Sequence, residues 1–258
     1  MPWFEHDTSR IYYEEQGSGD AVLLIPGFAG SIEEFSALRE ALAARYRVIA
    51  ADLPGSGRSE PQPRVYPPSF YADDARSFAA LLAHLAAGAT HLIGFSDGGE
   101  VALLMAGATP ALARSVVTWG AAGVLSEAQL PNLAMIVDIV DNPAEGLQGF
   151  SDYLKAAYGE ANARATIQSF VGAARTIIER GGDISLARAG DIACPVLLIV
   201  GERDGMAPPA LVSRLATHIR AVEVIEVAGV GHDVYDERPE WLTQTIRDWL
   251  ERHSGQAV

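Results

Sequence analysis

The sequence predicts an α/β fold: a mostly parallel, doubly wound sheet of about eight strands, with helices on both faces and an inserted helical cap. Three observations predict this class. Short apolar runs recur along the chain and most end in glycine, which is typical of strands buried on both faces. Amphipathic stretches of helical length separate these runs. Residues 125–190 break the alternation, because they contain helical patterns but no convincing buried strand.

The predicted strands follow from the apolar runs in chain order. Residues 11–15 are expected to form an antiparallel edge hairpin with the run that comes next. The other runs are expected to be buried parallel strands, at residues 21–25, 46–52, 91–95, 115–119, 195–200 and 221–227.

The predicted helices lie between these runs. Over residues 70–87, apolar side chains recur at steps of three and four, which predicts an amphipathic helix. Residues 100–108 predict a helix directly after the run 91–95, and Pro239 opens a helical pattern near the C-terminus.

The predicted cap is residues 125–190, and the core is then residues 1–124 and 191–258. Inside the cap, helices are expected at 128–140, 143–158 and 162–180. Apolar residues of these helices are expected to shape a substrate pocket: Met135, Ile136, Phe150, Tyr153 and Phe170.

Composition excludes several classes of protein. The 258 residues carry a net charge of −14, which repels phosphate backbones and argues against nucleic-acid binding. The single Cys194 excludes a disulfide framework and a thiolate zinc site. The longest uncharged run, residues 77–96, is broken by polar residues and glycines, and the N-terminus lacks a signal-peptide pattern. We therefore expect a cytoplasmic protein that does not bind membranes; the sequence leaves its oligomeric state open.

The strongest chemical signal is the pattern G-x-S-x-G at Gly94 to Gly98, with Ser96 at its centre. It lies where a predicted strand meets a predicted helix, and small residues allow the sharp turn that exposes the serine hydroxyl. This context predicts that Ser96 is a nucleophile.

A serine nucleophile needs a general base, and the base needs a carboxylate that orients it. Among the six histidines, His232 lies in a glycine-rich loop just after a predicted strand, where ligand-facing residues collect. Asp204 follows the run 195–200 and completes the chain order Ser, Asp, His. Glu202 is the alternative acid. The predicted catalytic residues are thus Ser96, Asp204 and His232, with no metal and no cofactor.

The tetrahedral intermediate needs amide donors for its oxyanion. Residues 26–30, Pro-Gly-Phe-Ala-Gly, follow a predicted strand, and we expect the backbone N–H groups of Phe28 and Asp97 to be these donors. The alternative is that residues 26–30 form a simple strand-to-helix turn. The Asp97 carboxylate either holds a substrate ammonium group or only favours the helix N-terminus, and the residues alone leave both open.

Together these motifs resemble the α/β-hydrolase fold family over nearly the whole chain. The resemblance rests on residues 24–28, 52–59, 94–99, 201–204 and 229–232. Pro26 departs from it, because many relatives carry histidine there, so the support of the oxyanion loop is expected to differ. Within the family, Ser-Asp-Gly-Gly at residues 96–99 is similar to the valacyclovir hydrolase branch. That similarity implies that Asp97, with Phe28 beside it, binds the α-amino group of an amino-acid ester.

The expected function is cofactor-free hydrolysis of small-molecule carboxylic esters through an acyl-enzyme, extending to α-amino acid esters. One alternative is another reaction at the same three residues: lactone opening, C–C bond hydrolysis or perhydrolysis. The other is a small-molecule-binding protein that keeps the fold without catalysis.

Overall fold

The computed structural model describes residues 3–255, which form an α/β structure around one twisted sheet. Its strands are β1 (Trp3–His6), β2 (Ser9–Gln16), β3 (Ala21–Ile25), β4 (Arg47–Ala51), β5 (Thr90–Phe95), β6 (Ala113–Trp119), β7 (Val196–Gly201) and β8 (Val222–Val227). Its α-helices are α1 (Ser36–Ala43), α2 (Phe70–His84), α3 (Asp97–Ala108), α4 (Leu130–Val137), α5 (Gln148–Tyr158), α6 (Glu160–Glu179), α7 (Pro209–Ala216), α8 (Val234–Glu237) and α9 (Pro239–His253). Short 3-10 helices occupy Ile32–Phe35, Pro110–Leu112, Glu127–Gln129 and Leu186–Asp191.

The eight strands are arranged in the order β1-β2-β4-β3-β5-β6-β7-β8. All pairs from β4 to β8 are parallel, and β2 is antiparallel to both β1 and β4. The predicted fold class, a mostly parallel sheet of about eight strands covered on both faces, is confirmed.

The expected hairpin between residues 11–15 and the run 21–25 is wrong. Strand β2 contains residues 11–15 but pairs with β4, with Tyr13 opposite Ala51, and its hairpin partner is β1. The run 3–6 is too short and too polar to stand out as a strand in the sequence, so the sequence analysis missed the true partner.

Strand β8 also differs from expectation, because it is only half-buried. Its residues are either intermediate or exposed, and Glu223 and Glu226 are both exposed. As the last strand of the sheet it has a neighbour on one side only, and charged residues are typical of such edges.

Side chains of the central strands alternate between two apolar cores. In β3, Leu23 and Ile25 pack with α2, α3, α7 and the helices between β6 and β7, whereas Val22 and Leu24 pack with α1 and α9 on the other face. Helices α1 and α7 were not among the predicted elements. No helix within residues 3–255 is both long and apolar enough to span a membrane.

Three helices, α4, α5 and α6, lie between β6 and β7, in the segment for which the sequence predicts only helices. Their bounds agree with the expected 128–140, 143–158 and 162–180 to within about three residues, apart from α5, which begins about five residues late. The division of the chain into a core and a cap at residues 125 and 190 stays a prediction; its outermost residues, 1–2 and 256–258, lie outside the described part of the chain.

Candidate active site

Ser96 occupies the sharp turn between β5 and α3. Its backbone has φ 49° and ψ −116°, a left-handed conformation that side-chain-bearing residues rarely adopt and that costs of order 1–3 kcal/mol. The turn is held by the Ser96 amide, which donates to the Trp119 carbonyl at 2.9 Å. It also needs Gly98, because a Cβ there would collide with the carbonyl oxygens of Ile25 and Pro26. The strained turn presents the Ser96 hydroxyl at the carboxyl edge of the sheet.

His232 and Asp204 meet Ser96 at this edge. The Nε2 atom of His232 lies 3.0 Å from the Ser96 Oγ, and its Nδ1 atom lies 2.9 Å from both carboxylate oxygens of Asp204. The structure therefore brings the three predicted catalytic residues into one hydrogen-bonded line, from three distant parts of the sequence.

Asp204 is held in a second way, by two backbone amides. Its Oδ1 accepts from the amides of Met206 and Ala207, both at 2.8 Å. Burial raises the pKa of this carboxyl, but the hydrogen bond and charge of His232, together with the two amides, outweigh it and leave the pKa below its ordinary value. Asp204 is therefore ionised at neutral pH and fixed in orientation.

The alternative acid, Glu202, is engaged elsewhere. Its Oε2 accepts from the Gly229 amide at 2.7 Å, so it supports the loop that carries His232 without contacting the imidazole. Asp233, next to the histidine in sequence, caps α8 by accepting from the Asp236 amide at 3.0 Å.

Phe28 and Asp97, the expected oxyanion donors, both line the cavity at Ser96. Within residues 3–255, neither of their amides has a hydrogen-bond acceptor. The Asp97 amide is the first of α3, where backbone N–H groups have no partner inside the helix. The phenyl ring of Phe28 packs on Phe170 of α6, with 4.0 Å between ring centroids.

The Asp97 side chain is buried at the cavity wall and accepts a 2.7 Å hydrogen bond from the Tyr71 hydroxyl. Burial raises the pKa of this carboxyl to about 7, although the Tyr71 hydrogen bond and the charge of Arg64 act in the opposite direction. Arg64 itself is paired with Asp74 at 2.6 Å in the interior. Among residues 3–255, no cationic side chain is thus hydrogen-bonded to the Asp97 carboxylate.

Glu100 is a second buried acid in the first turns of α3. It accepts from the amides of Ala122 and Gly123 at 2.9 and 2.7 Å, and from the Ser185 hydroxyl at 2.6 Å. These bonds fasten α3 to the two chain segments that lead into and out of the helices between β6 and β7.

A cavity of about 780 Å³ opens above Ser96. Four of the five apolar residues expected to shape a pocket line it: Met135, Ile136, Phe150 and Phe170. The fifth, Tyr153, lies against the loop that contains Phe28. Within residues 3–255, no group of three His, Cys, Asp or Glu side chains is arranged to hold a metal ion.

Residues 20–182 match the family model of the alpha/beta hydrolase fold. The chain belongs to the α/β-hydrolase fold family. The membership expected from the sequence motifs is thereby confirmed, and the family is one of hydrolases.

Individual relatives in this family have low sequence identity to this chain. Human serine hydrolase BPHL is 26% identical over 94% of this chain and 83% of its own length. The 2-(acetamidomethylene)succinate hydrolase of Mesorhizobium japonicum is 26% identical over 95% of this chain and 94% of its own. Among solved structures, a thermophilic esterase from Thermogutta terrifontis superimposes with a TM-score of 0.73 at 25% identity, over 95% of each chain.

Several residues at the site were missed by the sequence analysis: Tyr71, Glu100, Gly120 and Tyr158. Tyr153 was expected to shape the pocket, but its hydrogen bond to the Ala29 carbonyl was not foreseen. The tyrosines lie in helical patterns, where an aromatic residue normally means packing, and no local signal marks a hydroxyl that points at a distant loop. Gly120 directly follows β6. Glycine after a strand is common in this sequence, so no local signal indicated that Gly120 contacts His232.

Proposed function

We propose that this protein is a serine hydrolase that cleaves carboxylic esters of small molecules through an acyl-enzyme, without a cofactor. The observation that carries the proposal is the hydrogen-bonded line Ser96, His232 and Asp204, with its 3.0 Å bond between hydroxyl and imidazole. This is the arrangement that a base-activated serine nucleophile requires.

The first half of the reaction acylates the serine. His232 Nε2 takes the proton of Ser96 as its Oγ attacks the ester carbonyl, and Asp204 stabilises the resulting imidazolium. The amides of Phe28 and Asp97 donate to the oxyanion of the tetrahedral intermediate. When the intermediate collapses, the carbon–oxygen bond to the leaving group breaks and the imidazolium gives its proton to the departing alkoxide.

The second half releases the acid. A water molecule takes the place of the alcohol, His232 removes one of its protons, and the hydroxide attacks the acyl carbonyl. The same two amides hold the second oxyanion. Collapse breaks the bond to Ser96 Oγ, which recovers its proton from His232 and leaves the carboxylic acid as product.

We extend the proposal to α-amino acid esters, with Asp97 holding the substrate ammonium. The carboxylate lies at the cavity wall directly after the nucleophile and is fixed by Tyr71. Within the described part of the chain, residues 3–255, no cationic side chain is hydrogen-bonded to it. A ligand cation beside it would lower its raised pKa and compensate for its burial. The resemblance of residues 96–99 to the valacyclovir hydrolase branch favours the same substrate class.

Two other functions fit the same site: a different reaction at the same three residues, and small-molecule binding without catalysis. One experiment distinguishes them. The purified protein is assayed on a panel of matched substrates: a p-nitrophenyl ester, a lactone, a thioester and an amino-acid ester. Ser96→Ala is expected to lower ester turnover by at least about 10⁴-fold, and Ser213→Ala, an exposed serine on α7, is expected to leave it unchanged.

The outcomes of that panel are distinct. Ester hydrolysis at the uncatalysed rate by both wild type and Ser96→Ala would eliminate the serine mechanism and leave the binding protein. A lactone turned over far faster than every ester, still dependent on Ser96, would keep the mechanism and change the substrate class. An acyl group trapped on Ser96 and detected by mass spectrometry would support the ester reaction directly.

A further inference from the structure

The loop that carries the Phe28 amide is a strained turn. The Gly30 amide donates to the Gly27 carbonyl at 3.1 Å, which closes a four-residue turn with Phe28 and Ala29 in the middle. Ala29 has φ 54°, a left-handed value that favours glycine and is costly for alanine. Pro26, just before the turn, has neither an N–H nor a polar side chain with which to support it. Contacts from elsewhere must therefore hold this conformation.

Those contacts come from two tyrosines of α5. The hydroxyl of Tyr158 donates to the Ala29 carbonyl at 2.6 Å, and the hydroxyl of Tyr153 donates to the same carbonyl at 3.1 Å. Tyr158 is buried, and its oxygen also accepts from the Gly57 amide at 2.8 Å. The Gly57 bond leaves the Tyr158 proton free to point at Ala29, so the direction of this hydrogen bond is fixed.

Peptide planarity carries the effect of these bonds to Phe28. The Ala29 carbonyl and the Gly30 N–H belong to one rigid peptide unit and point in opposite directions. Holding the carbonyl toward α5 therefore holds the Gly30 N–H toward the Gly27 carbonyl. That carbonyl shares its own peptide unit with the Phe28 N–H, which must then point the opposite way, out of the turn. Phe28 is one of the residues that line the cavity.

We infer that Tyr158, assisted by Tyr153, is a positioning residue that aims the Phe28 amide at the reacting carbonyl. The oxyanion site is then complete only when α5 is seated on the loop, so the helix that covers the cavity also assembles one of its two donors. This inference rests on the proposed ester hydrolysis and deepens it.

Two further features agree with such a role. The phenyl ring of Phe28 packs on Phe170 of α6 and lies near Tyr66, which precedes α2. Helix α6 thus contacts the Phe28 side chain, while α5 contacts the backbone of its loop. Burial raises the pKa of the Tyr158 hydroxyl, and it therefore remains a donor through the neutral pH range.

The test uses the full-length variants Tyr158→Phe, Tyr153→Phe and the double variant, with Tyr46→Phe as the matched control. Tyr46 accepts from Ser254 at the far end of the chain and lies outside the cavity lining. Complete loss of one oxyanion donor typically costs about 10²–10³-fold in turnover, so a misaimed donor in Tyr158→Phe should lower kcat by about 10–100-fold. KM should change by less than about threefold, and Tyr46→Phe should match wild type.

A second readout separates positioning from general stability. Phenylboronic acid forms a tetrahedral anionic adduct on a reactive serine, and its inhibition constant should rise in Tyr158→Phe by about the factor by which kcat/KM falls. Assays are run well below the melting temperature of each variant. The double variant should lose more activity than either single variant.

The outcomes distinguish this inference from the proposed function. If Ser96→Ala is inactive while the double tyrosine variant keeps wild-type kcat and boronate affinity, the positioning role is overturned and the hydrolase stands. A lower melting temperature with unchanged kcat would overturn it equally. If Ser96→Ala retains full ester turnover, the serine mechanism falls, whatever the tyrosine variants do.

Discussion

Gly120 and the imidazole of His232 are in direct contact. A Cβ built on Gly120 would lie 2.7 Å from Cε1 of His232 and 3.1 Å from its Nδ1, closer than carbon atoms can pack. The backbone of Gly120 also has φ 73°, which side-chain-bearing residues rarely adopt. The end of β6 therefore leaves just enough room for the histidine between Ser96 and Asp204.

The contact predicts that Gly120→Ala displaces His232 from the hydrogen-bonded line. Because a displacement of about 1 Å can cost about 10²-fold in rate, we expect kcat/KM for a p-nitrophenyl ester to fall by at least that factor. Steady-state kinetics measures the loss, and a crystal structure of the variant should show the imidazole moved away from the Ser96 Oγ.

The matched control is Gly88→Ala. Gly88 has a similar φ of 68°, but no atom lies within 4 Å of the Cβ position. The substitution should therefore cost about 1 kcal/mol of stability from backbone strain and leave kinetics at the wild-type level. If both alanine variants lose activity equally, the contact with His232 is not the cause.

Asp204→Asn tests which acid orients the base. An amide in place of the carboxylate favours the wrong imidazole tautomer and cannot stabilise imidazolium, and we expect kcat to fall by about 10⁴-fold with little change in KM. Glu202→Gln keeps an oxygen that can accept from Gly229, so its kcat should stay within a few-fold of wild type. A larger loss in Glu202→Gln than in Asp204→Asn would reverse the assignment.

The sequence predicted the buried part of this fold well, because its signals are local. Strand β3 has the predicted bounds, 21–25, and β5 and β6 each begin only one or two residues early. Ser96, His232 and Asp204 could be named because each lies in a glycine-containing turn after a predicted strand, and such turns meet at one edge of a parallel sheet.

Long-range contacts between helices and loops could not be predicted in the same way. Nothing near Tyr158 in the sequence shows that its hydroxyl reaches Ala29, and nothing near Tyr71 shows that it meets Asp97. The pairing of β2 with β4 also depends on the global arrangement of the sheet, because the next run in sequence is β3. Each of these contacts is decided by tertiary packing.

The raised pKa of Asp97 predicts a pH-dependent substrate preference. Between pH 5 and pH 7 an α-amino ester stays largely protonated, while the Asp97 carboxyl, with its pKa of about 7, changes from mostly neutral to about half ionised. The ratio of kcat/KM for an α-amino ester to that for its desamino analogue should therefore rise over this range. Effects of His232 protonation cancel in the ratio, because both substrates use the same base.

Asp97→Asn supplies the control for this preference. Asparagine keeps an oxygen that can accept from Tyr71 and keeps the backbone amide, but it has no charge at any pH. The ratio should be lower than in wild type and independent of pH. If the variant retains both the preference and its pH dependence, Asp97 does not hold the ammonium and only favours the start of α3.

The same substitution is expected to stabilise the protein. Burial raises the pKa of Asp97 from 3.8 to about 7, so the folded chain binds this proton more tightly than the unfolded chain does. The contribution of Asp97 to stability is therefore lost as pH rises from about 4 to about 7, by at most about 4 kcal/mol at 1.36 kcal/mol per pKa unit.

Urea unfolding should show Asp97→Asn to be more stable than wild type at pH 8, with a smaller difference at pH 5. An equal difference at both pH values, or a less stable variant at pH 8, would contradict the raised pKa. Active-site residues commonly lower the stability of a protein, because they are selected for function. A buried acid that destabilises the ligand-free protein above neutral pH is therefore consistent with a carboxylate whose charge binds a ligand.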